Sequence, residues 1–398
     1  MKHYGDITKI NGSLVEPVNV IIGGSPCQDL SVAGKHAGLA GERSGLFMEQ
    51  LRIIKEMRRA DLERGRTGKD TRPRYMVWEN VPGAFSSNKG ADFSIVLQET
   101  AKVACEQAPA VPIPKNGWPP AGCLTDVGGQ WSIAWRVFNA QFWGVPQRRK
   151  RIALVADFGG LTAPEILFER KGVPGNTQPC GKERQSVTRN TKNGTDSAGR
   201  EIIILEHHPS DSRLKIAEDG IVQTLSAGMG TGGNNVPLIM FENHQFGGYK
   251  EGRGTIKASG GSCGGGSENL VVDETRYTIR RLTPLECERL QGFPDGWTDI
   301  GEWTDSKGKV HKESSDSARY KAPGNSIAIP PWTYVLQRLS LCCGAKPTMA
   351  SLFDGIGGFP YIWEGLNGKG SCVWASEIED FPIAVTKYHF PEEVNNDG

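Results

Sequence analysis

The sequence has no apolar run approaching the length of a membrane-spanning helix, and its first ten residues, MKHYGDITKI, carry no apolar stretch of the secretory-signal kind. A cytoplasmic protein with no membrane partner is expected. Nine cysteines are scattered without one CxxC pair, which argues against a disulfide framework and against a zinc site, so no metal is expected. Cys342 and Cys343 are adjacent, a poor geometry for a single metal. Net charge is nearly absent as well: 46 Lys and Arg against 45 Asp and Glu leave +1. The total therefore does not mark a nucleic-acid binder, and local distribution matters more than the sum. What remains is a globular chain of 398 residues, 37% hydrophobic and 23% charged, long enough for two domains and a sizeable core.

The stretch that organises the chain is VNVIIGGSPCQ, residues 18–28. A short apolar run breaks at Gly23-Gly24 and reaches Pro26-Cys27, which reads as a buried strand delivering a thiol to its carboxyl end. Ligands of open α/β sheets gather at those ends. On position alone Cys27 is either a nucleophile or a small buried apolar residue. The loop that follows, Gln28 to Arg43, is glycine-hinged, polar and basic, and is either a closing loop over something anionic or an ordinary solvated one.

Downstream, Ser44 is placed to cap a helix whose apolar stripe is Leu46, Phe47, Leu51, Ile54 and Met57. A basic, glycine-containing stretch, Arg64–Lys69, leads to a strand at 74–78 that ends in Glu79-Asn80-Val81-Pro82. Residues 92–105 read as helix, 108–130 as a Pro/Gly-rich connection, and WSIAWRVFNAQFWGVPQ as a strand and turn. Gln147-Arg148-Arg149-Lys150-Arg151 then precedes the apolar run Ile152–Ala156. From 158 to 275 the composition shifts to Gly, Asn, Ser and Thr with short strand-like pieces (Ile202–Leu205, Val236–Met240, Leu270–Val272), which suggests a small, loop-rich second domain. Its glycine runs suit either plain linkers or a surface that reads polar edges closely. Thr283-Pro284-Leu285-Glu286 carries a capping-box signature and Gly292 a stop signal. Pro323-Gly324-Asn325-Ser326 is expected to open a helix running to about 341. Last come a strand at Met349–Phe353, the turn Asp354-Gly355-Ile356-Gly357-Gly358, and a strand at Ser371–Ala375 ending in Ser376-Glu377. A glycine turn followed about twenty residues later by an acid at a strand end is the pattern of nucleoside-binding α/β folds.

Together GGSPCQ (23–28), WENV (78–81), QRRKR (147–151), RRLTPLECERLQGFP (280–294), GNS (324–326) and SLFDGIGGF (351–359) resemble the DNA (cytosine-5)-methyltransferases. The resemblance spans nearly the whole chain outside 158–275. In most of that family the SLFDGIGGF-type motif comes first; here it comes last, so the sequence looks circularly permuted. The fold implied is α/β, a Rossmann-like S-adenosylmethionine-dependent methyltransferase sheet with a small, loop-rich target-recognition domain. The expected division is 1–157 and 276–398 for the catalytic domain and 158–275 for target recognition.

The resemblance implies transfer of a methyl group from S-adenosylmethionine to C5 of cytosine in a specific duplex DNA sequence. The base is flipped out and held through a covalent adduct between Cys27 and C6. Glu79 matches the glutamate that engages cytosine N3 and N4. Arg149 and Arg151 match the QxRxR arginines near the base and the active-site backbone. For the cofactor, Phe353, Asp354, Gly355, Gly357 and Gly358 match the glycine turn, Glu377 the ribose-binding acid, and Asp6 with Ile7 the adenine-contacting pair. Pro26, Leu46 and Asn325 complete the pocket. Double-stranded DNA is the implied partner of a bacterial or phage-encoded monomer, with a separate cognate restriction endonuclease as a further partner. Thr224-Leu225 resembles the Thr-Leu pair of target-recognition domains. The rivals are a tRNA cytosine-5 methyltransferase, a catalytically inactive sequence-specific DNA-binding protein, and a thymidylate-type methylase, which needs neither a target domain nor this glycine turn.

Overall fold

The computed structural model describes residues 1–25, 45–168, 203–208, 211–217, 219–229, 236–242 and 277–392. Along the chain the strands are β1 (Lys2–His3), β2 (Val20–Gly23), β3 (Tyr75–Asn80), β4 (Ala121–Thr125), β5 (Ser132–Asn139), β6 (Lys150–Asp157), β7 (Ile203–His208), β8 (Asp211–Ile216), β9 (Leu238–Glu242), β10 (Tyr277–Arg281), β11 (Trp303–Thr304), β12 (Val310–His311), β13 (Met349–Leu352) and β14 (Cys372–Ser376). The α-helices are α1 (Gly45–Glu63), α2 (Ala91–Ala104), α3 (Ala163–Leu167), α4 (Pro284–Gln291), α5 (Asp316–Asn325), α6 (Ile329–Cys343), α7 (Gly358–Asn367) and α8 (Asp380–His389). No helix among the described residues is long and apolar enough to cross a membrane.

The chain divides into two compact units, one of residues 1–139, 150–176 and 331–398, the other of 140–149 and 177–330. The first is an α/β unit around an eight-stranded sheet in the order β1-β14-β13-β2-β3-β6-β5-β4. Its first five strands run parallel, and β6, β5 and β4 add as antiparallel neighbours. β2 (VIIG) and β13 (MASL) are buried at every position, the near-continuous apolar runs that a parallel sheet covered on both faces requires. The α1 stripe packs Phe47, Leu51, Ile54 and Met57 with Phe93 and Leu97 of α2 and Trp78 of β3 into one core. β13 inserts between β14 and β2 although 326 positions separate Gly23 from Met349 in sequence. Asn19 and Thr348 fasten the start of that pairing by reciprocal backbone and side-chain hydrogen bonds.

Three readings change. The strand expected at 74–78 continues to Asn80, so Glu79 lies inside β3 instead of beyond its end. β4 lies within the expected connection; it is a half-exposed edge strand, alternating small and apolar residues, that only its pairing with β5 defines. Pro323-Gly324-Asn325-Ser326 closes a helix and does not open one: Ser315 caps α5 through the Ala318 N–H, and Ser326 N returns to Ala322 O and Pro323 O. α6 begins three residues later. Ser44 and Leu270–Val272 lie outside the described residues.

The second unit holds an antiparallel sheet in the order β10-β9-β7-β8. Its core joins Ile204, Val222, Leu225 and Ile239 to Leu282, Cys287 and Leu290. β10, α4 and α5 therefore belong to this unit, which reaches beyond the 158–275 segment expected for target recognition. Both halves of the capping box at Thr283 and Glu286 are formed, and Gly292 ends α4 at φ 82°.

Candidate functional site

In the first unit, register brings Glu79 and Arg151 together. Glu79 on β3 lies opposite Ala153 on the antiparallel β6, so Arg151, two residues back, is its diagonal neighbour on the same face. Arg151 Nε donates to Glu79 Oε1 at 2.8 Å, with both side chains about 15% exposed. The other carboxylate oxygen turns to the loop stem at the end of β2: a Cβ at Gly24 would lie 2.8 Å from Glu79 Oε2. That stem is pinned from β3 on both sides, Trp78 Nε1 donating to Ser25 Oγ and Asn80 Nδ2 to Ser25 O, each at 3.0 Å. Pro26 and Cys27, the next two residues, lie outside the described residues. Gly24, Ser25, Trp78 and Asn80 are site residues that motif matching passed over. Trp78 and Asn80 stand inside WENV, and Gly24 and Ser25 inside GGSPCQ, but their hydrogen bonds depend on β2–β3 register.

Arg149 belongs to the second unit, where it is buried, 2% exposed. Its Nη1 donates to Leu225 O at 2.9 Å, and its Nη2 donates to Gly324 O at 3.1 Å and to Ser326 O. The guanidinium clamps three backbone carbonyls, among them that of Ser326 in the GNS motif. Thr224 and Leu225 are stitched to the same segment, Thr224 Oγ1 donating to Arg148 O, while Arg148 pairs with Asp219 at 2.9 Å. Gly324 is required where it stands, because a Cβ there would meet Ser226 O at 2.2 Å. Asn325, beside it, is exposed and belongs to this unit.

The glycine turn leaves β13 in the first unit. Phe353 (φ 54°), Gly355 (φ 57°) and Gly357 (φ 79°) all occupy the left-handed region, and Gly357 caps α7, which starts at Gly358. A non-glycine residue held there signals a backbone under constraint. Glu377, just past β14, accepts the Gly355 N–H at 2.8 Å on Oε2 and the Ile378 and Glu379 N–H groups on Oε1. Asp354 is buried; Ser351 Oγ donates to its Oδ1 at 2.5 Å, and its Oδ2 has no partner. Burial, reinforced by the Glu377 carboxylate, pushes the Asp354 pKa up to about 8. The open space beside Gly355, the orphaned Asp354 oxygen and the strand-end Glu377 fit a hydroxylated, partly cationic nucleoside lying on the turn.

Asp6 lies on the adjoining backbone, since Ser376 Oγ donates to Gly5 O at 2.5 Å. Its carboxylate caps the short Ile7–Lys9 turn through the Thr8 N–H and hydroxyl, and the Thr8 hydroxyl bond leads in holding its pKa below the usual range. Ile7 is buried in the main core, and Leu46 packs against it.

The chain matches the family model described as C-5 cytosine-specific DNA methylase over residues 1–106 and 123–340. It is 28% identical to the DNA N-6-adenine-methyltransferase of Escherichia phage P1, over 85% of this chain and 55% of that protein. It is 30% identical to Type II methyltransferase M.BsuFI of Bacillus subtilis, over 83% of this chain and 59% of the relative. With Type II methyltransferase M.HhaI of Haemophilus parahaemolyticus the identity is 22%, over 87% and 83% of the two chains. The chain thus spans somewhat over half the length of the first two relatives.

Proposed function

Because the chain belongs to the family of C-5 cytosine-specific DNA methylases, we propose that it transfers a methyl group from S-adenosylmethionine to C5 of cytosine within a specific duplex DNA sequence. The observation that carries this reading is the Glu79–Arg151 pair set against the Gly24-Ser25 stem from which Cys27 follows.

Cytosine C5 is a weak nucleophile until C6 is attacked. The Cys27 thiolate adds to C6 of the flipped base, and the electron pair of the 5,6 double bond moves to C5. Glu79 bonds the N3 and N4 edge of the base as charge develops there. Arg151 holds Oε1, so the carboxylate presents Oε2 toward the loop stem and pays no reorganisation cost during addition. When bound, the cofactor supplies an electrophilic methyl group on a sulfonium. The Phe353–Gly358 turn and Glu377 would hold it, with Asp6, Ile7, Pro26 and Leu46 as further contacts. After C5 is methylated, loss of the C5 proton to a base restores the double bond and expels the Cys27 thiolate. Arg149 serves by fixing residues 225 and 324–326, while the second unit carries target recognition with Thr224-Leu225 in it.

The motif order supports a circular permutation. β13 and β14, which follow the other motifs in sequence, complete the parallel sheet beside β2, and Met1 N donates to Pro391 O at 3.2 Å, so the two chain regions that the usual order joins lie side by side.

The test is incubation with methyl-labelled cofactor and duplex DNA, followed by mapping of the modified base. The expected product is 5-methylcytosine at one sequence, abolished in Cys27→Ala. Label on adenine N6 or cytosine N4, preference for RNA, or full turnover by Cys27→Ala would each replace this reading; binding of one sequence without any turnover would favour the inactive DNA-binding rival.

A further inference from the structure

The basic stretch after α1 contains none of the residues assigned above to methyl transfer. Residues 64–74, RGRTGKDTRPR, bend around a cavity of about 120 Å³ at the amino ends of the parallel strands. Asn19, which precedes β2, and Tyr75, the first residue of β3, line it together with Arg66, Lys69, Arg72 and Arg74. Glu79 and Gly24 stand at the other end of these same strands. The thiols of Cys342 and Cys343, at the end of α6, complete the wall.

The charges around this cavity do not balance. Six cations gather here: Arg58, Arg64, Arg66, Lys69, Arg72 and Arg74. Among the described residues three carboxylates face them. Buried Asp61 is shared by Arg64, Arg66 and Arg72 at 3.7, 3.6 and 3.0 Å. Asp157 is taken by Arg74 through Nε and Nη2 at 2.8 and 2.9 Å, and Asp70 lies on the rim. Glu165 and Arg338, which also act on Cys342, offset one another. Among the described residues Lys69 forms no ion pair, and Arg74 engages Asp157 through Nε and Nη2. Arg58 is spent on the carbonyls of Thr71, Pro73 and Phe158, and burial lowers its pKa to about 10. Arg66 and Lys69 are exposed and Arg72 and Arg74 are half-buried, so among the described residues the wall presents four cations against the one carboxylate of Asp70. Asp61 and Asp157 also brace Arg72 and Arg74 from behind, so these side chains are pre-organised at the cavity wall.

We propose that this cavity is a phosphate-binding site, in which one phosphate group is held by Lys69, Arg66, Arg72 and Arg74. A cavity of about 120 Å³ has room for such a group. Guanidinium forks and a lysine are the donors that phosphate oxygens take best. The same chemistry is offered by a free phosphate or nucleotide terminus and by a phosphodiester of the duplex.

The full chain is titrated with inorganic phosphate by calorimetry, with ionic strength held constant by sodium chloride. One saturable site is expected. Lys69→Ala and Arg66→Ala each weaken it about tenfold, as befits loss of one charge-assisted bond. Both variants keep the wild-type melting temperature in phosphate-free buffer and the wild-type rate of methyl transfer. Phosphate also slows iodoacetamide alkylation of Cys342, mapped by peptide mass spectrometry, about fivefold in the wild type and not in the double variant. Absence of saturation up to about 20 mM phosphate, or binding indifferent to both substitutions, overturns the proposal. Protection of Cys342 by a duplex without terminal phosphates identifies a phosphodiester source; protection only by free phosphate or a 5′-phosphorylated strand identifies a terminal one. Either supports the site.

Discussion

Arg149 gives its guanidinium to three backbone carbonyls of the second unit, whereas Arg151, two residues on, gives its own to the Glu79 carboxylate in the first. The two residues share a motif, a side-chain type and a period of two, yet the boundary between compact units falls between them. A carbonyl accepts without carrying charge, so Arg149 is a structural tie whose loss leaves three acceptors stranded. A carboxylate carries charge, so Arg151 orients the group that the proposed reaction uses. One short segment therefore divides its two cations between backbone carbonyls and a carboxylate.

The contrast breaks most sharply at Arg149. Arg149→Ala is expected to destabilise the second unit by about 3 kcal/mol or more, read as a separate early transition in denaturant unfolding, with methyl transfer lost alongside. Arg151→Gln is expected to leave unfolding within about 1 kcal/mol of wild type and to lower kcat about 100-fold. If Arg151→Gln unfolded the protein while Arg149→Ala only slowed it, the two roles would be reversed. Two glycines sharpen the same point on a smaller scale. Gly324→Ala drives a methyl group against the Ser226 backbone, which cannot step aside, and should cost about 1–3 kcal/mol in denaturant unfolding. Gly24→Ala meets only the far end of the Glu79 side chain, which can swing away. Its stability should change by less than about 0.5 kcal/mol while kcat falls about tenfold, measured under single-turnover conditions.

These pairs also mark where the sequence stops being legible. The apolar runs of β2 and β6, the α1 stripe and the capping box of α4 are local patterns, and the structure contains each of them. The glycine turn and Glu377 were readable because both belong to one strand–turn–helix–strand unit, about twenty residues apart. The partners of Arg149 were not, since they come from residues 225, 324 and 326, joined to position 149 only by packing. The Glu79–Arg151 contact needs the β3–β6 register, which no residue announces. Pro323 misled for a related reason: proline usually ends or starts a helix, but here α5 is launched by Ser315 in a polar segment without apolar periodicity and simply runs through it.

The place of β13 in the sheet has a cost in time. Thr348, at its start, lies 329 positions after Asn19, the residue it fastens beside β2. A ribosome adding about 5–20 residues per second leaves roughly 15–65 s between the two. For that interval one long edge of β2, apolar at three of its four positions, faces whatever the nascent chain encounters. Synthesis of this protein thus proceeds with its central strand half paired until a segment 329 positions further on closes it.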